Sequence, residues 1–149
     1  MQKILFRGVP KDESYQMFAN WKPYTKNGFI YGSLFMKEDK SYICVSVLRN
    51  CKSYINNGLT TMLEVIPDTI GQFTGQTDKS KTDIFAGDVI KYRLPNETEY
   101  RKGCVVWDND NCRFCTKYSK GIDVFCKEVA DNCEVCEEHT LHNEMAKPV

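Results

Sequence analysis

The chain has 149 residues, 42% of them hydrophobic and 27% charged, the composition of one globular domain with a real core rather than of a disordered segment. Its 20 basic and 20 acidic side chains cancel, and no dense Lys/Arg cluster supplies the basic footprint of a dedicated nucleic-acid binder. The longest apolar run, Tyr42–Leu48, is one strand long, which leaves no transmembrane helix.

Charge drifts along the chain. Residues 1–70 carry nine basic and six acidic groups, 71–120 nine and seven, and 121–149 two and seven. The neutral total does not fix how charge is distributed after folding. The N-terminus turns charged after three apolar residues and offers no signal-peptide core, so the expected compartment is cytosolic. The eight cysteines are then expected as reduced thiols, either small buried hydrophobes or metal ligands.

In chain order, short apolar stretches recur between turn signals, as in a many-stranded β protein. Ile4–Arg7 is predicted as a strand ended by Gly8-Val9-Pro10. Asn27-Gly28 is a turn dipeptide launching Gly28–Phe35. Tyr42–Leu48 is rich in β-branched residues and reads as a buried strand. Asn56-Asn57-Gly58 is another turn, and Met62–Ile66 a strand stopped by Pro67-Asp68. A single helical turn at Pro67–Gly71 has Asp68 or Thr69 as its cap. Asp88–Arg93 and Lys102–Trp107 are strands joined by a polar loop at 95–99. Asp108–Asn111 turns into the strand Cys112–Tyr118, and Ser119-Lys120-Gly121 into Ile122–Phe125. Alternation puts Cys112, Phe114, Thr116 and Tyr118 on one face, with Arg113, Cys115 and Lys117 on the other. A short terminal helix is placed at Glu134–Met145. With no repeat or linker, residues 1–149 read as one domain.

The most distinctive text is Val65-Ile66-Pro67-Asp68-Thr69-Ile70-Gly71-Gln72-Phe73-Thr74-Gly75, then Asp78-Lys79, then Ile84-Phe85-Ala86-Gly87-Asp88-Val89-Ile90. It reads as a strand, a Pro-Asp turn, a glycine-bracketed bend, a polar turn and a Gly-Asp turn into the next strand. Gly71, Gly75 and Gly87 mark positive φ or close approach. Asp88 and Thr74 can accept from nearby backbone N–H groups. These residues set turns rather than bind a ligand.

This pattern resembles the YopX family of small bacteriophage and prophage proteins. The resemblance begins at Ile4-Leu5-Phe6-Arg7-Gly8 and continues at Tyr31-Gly32-Ser33-Leu34. It peaks at Gly71–Gly75 and Ile84–Val89, then reaches Gly103-Cys104-Val105-Val106-Trp107 and Cys133-Glu134-Val135. Three positions depart from the family. Lys81 stands where the family has glycine, which points to another geometry for that turn. Glu137–His142 replaces the family's closing segment, and Cys136 replaces an aliphatic residue. The resemblance implies a mainly β, YopX-like fold with a small SH3-type barrel-like unit and irregular β extensions. It also implies phage or prophage origin, an accessory role and the host bacterial cytoplasm. It carries across no catalytic residue and no cofactor.

Two pairs, Cys112-Arg-Phe-Cys115 and Cys133-Glu-Val-Cys136, are separated by seventeen residues, a zinc-site spacing, and His139 and His142 follow at steps of three. Against zinc, cysteines three apart on a strand point to opposite faces, and neither pair has the residues of a tight knuckle. A redox motif would need a helix N-terminus after a pair. Asp108-Asn109-Asp110-Asn111 begins like a calcium loop but fails at Cys112, Arg113 and Ser119. Asn96-Glu97-Thr98 is a glycosylation sequon without meaning in the cytosol. No phosphate loop, nucleophile elbow or H-E-x-x-H pair is present. Trp21, Tyr24, Phe29 and Tyr31 with Lys22 and Lys26 read as core and rim aromatics beside solvated lysines, with single-strand stacking as the sharper alternative.

The expected function is therefore non-enzymatic binding of an unidentified protein partner, with no catalytic, cofactor or metal residues assigned. The alternatives are a zinc-stabilised module on Cys112, Cys115, Cys133 and Cys136, or a weak single-strand binder. Free sheet edges leave homo-oligomers open.

Overall fold

The computed structural model describes residues 4–11, 25–26, 28–46 and 60–136. They divide between two compact units, Ile4–Ile70 and the chain from Gly71 onward. Among the described residues no helix is long and apolar enough to cross a membrane.

The first unit contains β1 (Phe6–Gly8), β2 (Thr25–Lys26), β3 (Phe29–Lys37), β4 (Lys40–Ser46) and β5 (Thr60–Glu64). They pair antiparallel in the order β5-β4-β3-β1, and β2 also pairs with β3. Period-two alternation decides which side chains are inside. Ile43 and Val45 of β4 are buried with Ile30 and Val65, against Phe6, Leu34, Leu63 and Ile70. Gly32 is a matter of space: a Cβ there would lie 1.9 Å from the carbonyl oxygen of Cys44. The predicted single turn is a 3-10 turn at Pro67–Thr69 without a side-chain cap. Thr69 acts across the chain instead, its Oγ1 accepting from Val9 N–H at 2.8 Å and donating to the Ile66 carbonyl at 2.6 Å.

The second unit opens with β6 (Gly71–Thr77) and β7 (Asp83–Phe85), an antiparallel pair. This corrects the expected run of bends and turns. Gly71 starts β6, whereas Gly75 and Gly87 do have positive φ, 83° and 90°. The register shifts between Phe73 and Thr77, so Gly75 sits in a bulge that breaks the alternation a strand normally announces. Phe73 packs on Phe85 with ring centroids 5.5 Å apart, and Thr74 Oγ1 donates to the Ile84 carbonyl at 2.9 Å.

Next come β8 (Val89–Tyr92), β9 (Arg101–Asp108), β10 (Arg113–Tyr118), β11 (Gly121–Val124), the short helix α1 (Lys127–Asp131) and β12 (Glu134–Val135). The sheet order is β11-β10-β9-β8-β12, all antiparallel. Each strand order among the described residues is linear, with no pairing that closes it. Ile84, Ile90, Tyr92, Val105 and Phe125 bury together with Val129, Ala130 and Cys133 from α1 and its exit, and Phe114 packs against them. Cys104, Val106 and Cys115 form a second cluster. The predicted face assignment on β10 therefore holds for Phe114 and Cys115. Glu134–Val135 is strand, not the start of the predicted helix, because both residues pair with β8 at Lys91 and Ile90. The rest of that predicted helix, 137–145, lies outside the described residues, as do Asn56–Gly58, Val47 and Leu48.

Candidate binding surfaces

The structure does not bring the two cysteine pairs together. Cys112 is exposed in the turn before β10 at φ 49°, its thiol 3.6 Å from the Asn109 carbonyl. Cys115 is buried on β10 beside Cys104 and Val106. Cys133 is buried in the cluster around α1, and Cys136 is half-buried after β12. Among the described residues no group of three or more His, Cys, Asp or Glu is placed to hold a metal ion. His139 and His142 lie outside the described residues. Burial pushes the Cys133 thiol up to about 12, with Asp78 as the next cause. It raises Cys115 in the same direction, helped by Asp108. Such thiols stay protonated and make poor nucleophiles.

The calcium-like turn is a closed hydrogen-bond device. Asp108 Oδ1 accepts from the N–H groups of Asp110 at 3.1 Å and Asn111 at 3.2 Å, and Oδ2 accepts from Asn111 Nδ2 at 2.8 Å. The Asn111 side-chain bond is the main reason the Asp108 carboxyl sits below the usual carboxylate range. Asp78 does similar work in the 78–82 turn. Its Oδ1 accepts from Ser80 N–H at 2.8 Å and Thr82 N–H at 2.9 Å, and its Oδ2 from Val135 N–H at 3.1 Å. Asp88 Oδ2 accepts from Phe85 N–H at 2.9 Å, as its place in the Gly-Asp turn predicts. The distinctive block is thus held by carboxylates whose work is internal.

The most connected polar cluster lies between the 93–100 loop and the sheet. Arg101 donates to both Glu97 oxygens at 2.7 and 2.6 Å and to Asp123 Oδ2 at 2.7 Å. Its guanidinium carbon lies 5.1 Å from the Tyr118 ring centroid. Tyr92, buried, donates its hydroxyl to the same Asp123 oxygen at 2.7 Å, and burial followed by that bond raises its pKa. With both carboxylates committed to one guanidinium, the cluster is a clamp on the loop rather than an acid–base pair.

What faces outward is different in the two units. On β3–β4–β5, the register places Phe35 opposite Tyr42 and Cys44 opposite Met62, all on the face opposite Ile43. Phe35 is 44% exposed and Met62 52%, with the Phe35 and Tyr42 ring centroids 6.4 Å apart. The rim is charged: Lys11 Nζ lies 2.8 Å from Glu64 Oε1, and Lys37 and Lys40 are exposed. In the other unit, Ile122 and Val124 are exposed on β11, the end strand of its sheet. Beside β12, the exposed Tyr100 lies between Lys91 and Arg93.

The aromatic set expected from sequence does not form that surface. Phe29 is buried, with the Arg7 guanidinium carbon 4.4 Å from its ring centroid, and Tyr31 is half-buried. Trp21, Lys22 and Tyr24 lie outside the described residues, and Lys26 falls on β2. The Phe35–Met62 patch was open to a parity argument, since Phe35 occupies the strand parity opposite Leu34, but its depth of exposure needed the pairing. Among curated proteins, none matches the chain. The family model described as YopX protein matches residues 17–139, most of the chain, and together with the antiparallel β architecture it places this chain in the YopX family.

Proposed function

We propose that this is a phage or prophage accessory protein of the host bacterial cytoplasm, without enzymatic activity, that works by binding another protein. The observation that carries this reading is the apolar outer face of β3–β4–β5. Large side chains exposed on the face opposite the core cost free energy in water that a partner recovers on docking. Phe35, Tyr42 and Met62 supply the aromatic and thioether character enriched at interface centres, and the Lys11–Glu64 pair gives a polar rim. The internal employment of Asp78, Asp88, Asp108 and Asp123 supports the non-enzymatic part, because none is left as an aimed acid or base.

The test is a double substitution, Phe35→Asp with Met62→Lys. Both side chains are exposed, so the variant is expected to keep its melting temperature while losing partner capture from phage-producing cells. Retained capture would overturn the assignment of this face. Robust turnover by the wild-type protein in a broad hydrolase and nuclease screen would overturn the non-enzymatic reading.

A further inference from the structure

We infer that Lys91, Arg93 and Tyr100 form a binding site for single-stranded nucleic acid on the second unit, separate from the apolar face proposed above. Lys91 and Arg93 are exposed on either side of the fully buried Tyr92. Strand alternation therefore puts both cations on one face, about 7 Å apart, a distance comparable with that between neighbouring phosphates of an extended single strand. Tyr100 enters the same face from the other end of the 93–100 loop and is 59% exposed. The Lys91 ammonium lies 5.1 Å and the Arg93 guanidinium carbon 5.6 Å from its ring centroid. Lys102 stands opposite Lys91 across the ladder.

The carboxylate nearest in register is Glu134, opposite Lys91, and its oxygen lies 2.6 Å from Lys79 Nζ. Among the described residues neither Lys91 nor Arg93 has a carboxylate within ion-pair distance. Two unneutralised cations around an exposed ring match the recurrent single-strand arrangement, phosphates on the cations and a base on the aromatic face. An acidic protein segment is the competing anion. It fits less well because β8 is flanked by β9 and β12. No strand can add to it there, so recognition must run through side chains alone, which suits a phosphodiester chain. The neutral net charge of the protein is compatible with a weak, local and strongly salt-dependent site.

The experiment is fluorescence anisotropy of the full chain with a labelled oligothymidylate of about 20 nucleotides, titrated from low to moderate salt. Wild type is expected to bind at low salt. Lys91→Gln with Arg93→Gln is expected to weaken binding at least about tenfold and to flatten the log–log salt slope by about 1.4, two phosphates' worth. Tyr100→Ala is expected to lose about tenfold at every salt concentration, with Tyr100→Phe restoring it. Lys37→Gln with Lys120→Gln, an equal change of charge elsewhere, is expected to leave binding intact. Absent binding by wild type, an equal loss in the charge-matched control, or tighter binding of a polyglutamate peptide would each overturn the proposal.

Discussion

Lys81 adopts φ 66°, the left-handed region, where an L side chain costs about 1–2 kcal/mol. The departure from the family's glycine was expected to change this turn, but the turn keeps the geometry that glycine prefers. Its hydrogen bonds explain why. Lys81 N–H donates to the Asp78 carbonyl, Asp78 N–H to the Thr82 carbonyl, and the Asp78 carboxylate collects Ser80 and Thr82. Lys81→Gly should relieve the strain while adding about 0.5–1 kcal/mol of unfolded-state entropy. The net expectation is a gain of about 0.5–1 kcal/mol, read as a higher urea midpoint with an unchanged m-value. A lower midpoint would mean that the lysine side chain contributes more than its backbone costs. Asp78→Ala should act in the opposite direction. Three backbone donors lose a charged acceptor, and the expected loss is about 3 kcal/mol in the same titration.

At the scale of elements, the β3–β4 ladder has no slack at Gly32. The atom a Cβ would meet at 1.9 Å is backbone, the Cys44 carbonyl, and no rotamer change can move it. Gly32→Ala should therefore separate the strands and abolish cooperative unfolding, visible as lost near-ultraviolet dichroism. A folded variant with a melting temperature near wild type would show that the two strands can part there at little cost. Elements with strong local signatures were legible in the residues alone. Tyr42–Val45 advertises a strand through its β-branched and aromatic content, and β8 through β11 are separated by recognisable turn residues. β6 and β7 were not legible, because Gly75 interrupts one with a bulge and the other has three residues. Helix α1, five residues long, is too short to set up a helical period. The basic and aromatic site on β8 was hidden for a different reason. Lys91 and Arg93 meet Tyr100 only when the 93–100 loop folds back, whereas Trp21–Tyr31, clustered in sequence, turns Phe29 inward beneath Arg7.

For the whole molecule, the buried acids of the second unit set a direction for stability against pH. Cys133, Cys115 and Tyr92 all have pKa values raised by burial as the first cause. A raised acid keeps its proton in the folded state while the unfolded chain releases its own, thiols near pH 8.5 and tyrosine near 10. Their contribution is complete below those values and is lost as pH rises, toward about 12 for Cys133. Asp108 acts on the other side: its lowered pKa makes a contribution present above the ordinary carboxylate range and lost as pH falls through the folded value. Stability should therefore decline from about pH 9 upward, in addition to any acid limb. Cys133→Ala is expected to lower the plateau through lost packing yet flatten the alkaline decline, which a general alkaline effect would not do. Thiol labelling supplies a second readout. Exposed Cys112 and Cys126 should react at once in the native protein, and buried Cys104, Cys115 and Cys133 only when denaturant opens the unit. Prompt native-state labelling of Cys133 would mean that its burial is transient, and the alkaline slope assigned to it should then disappear as well.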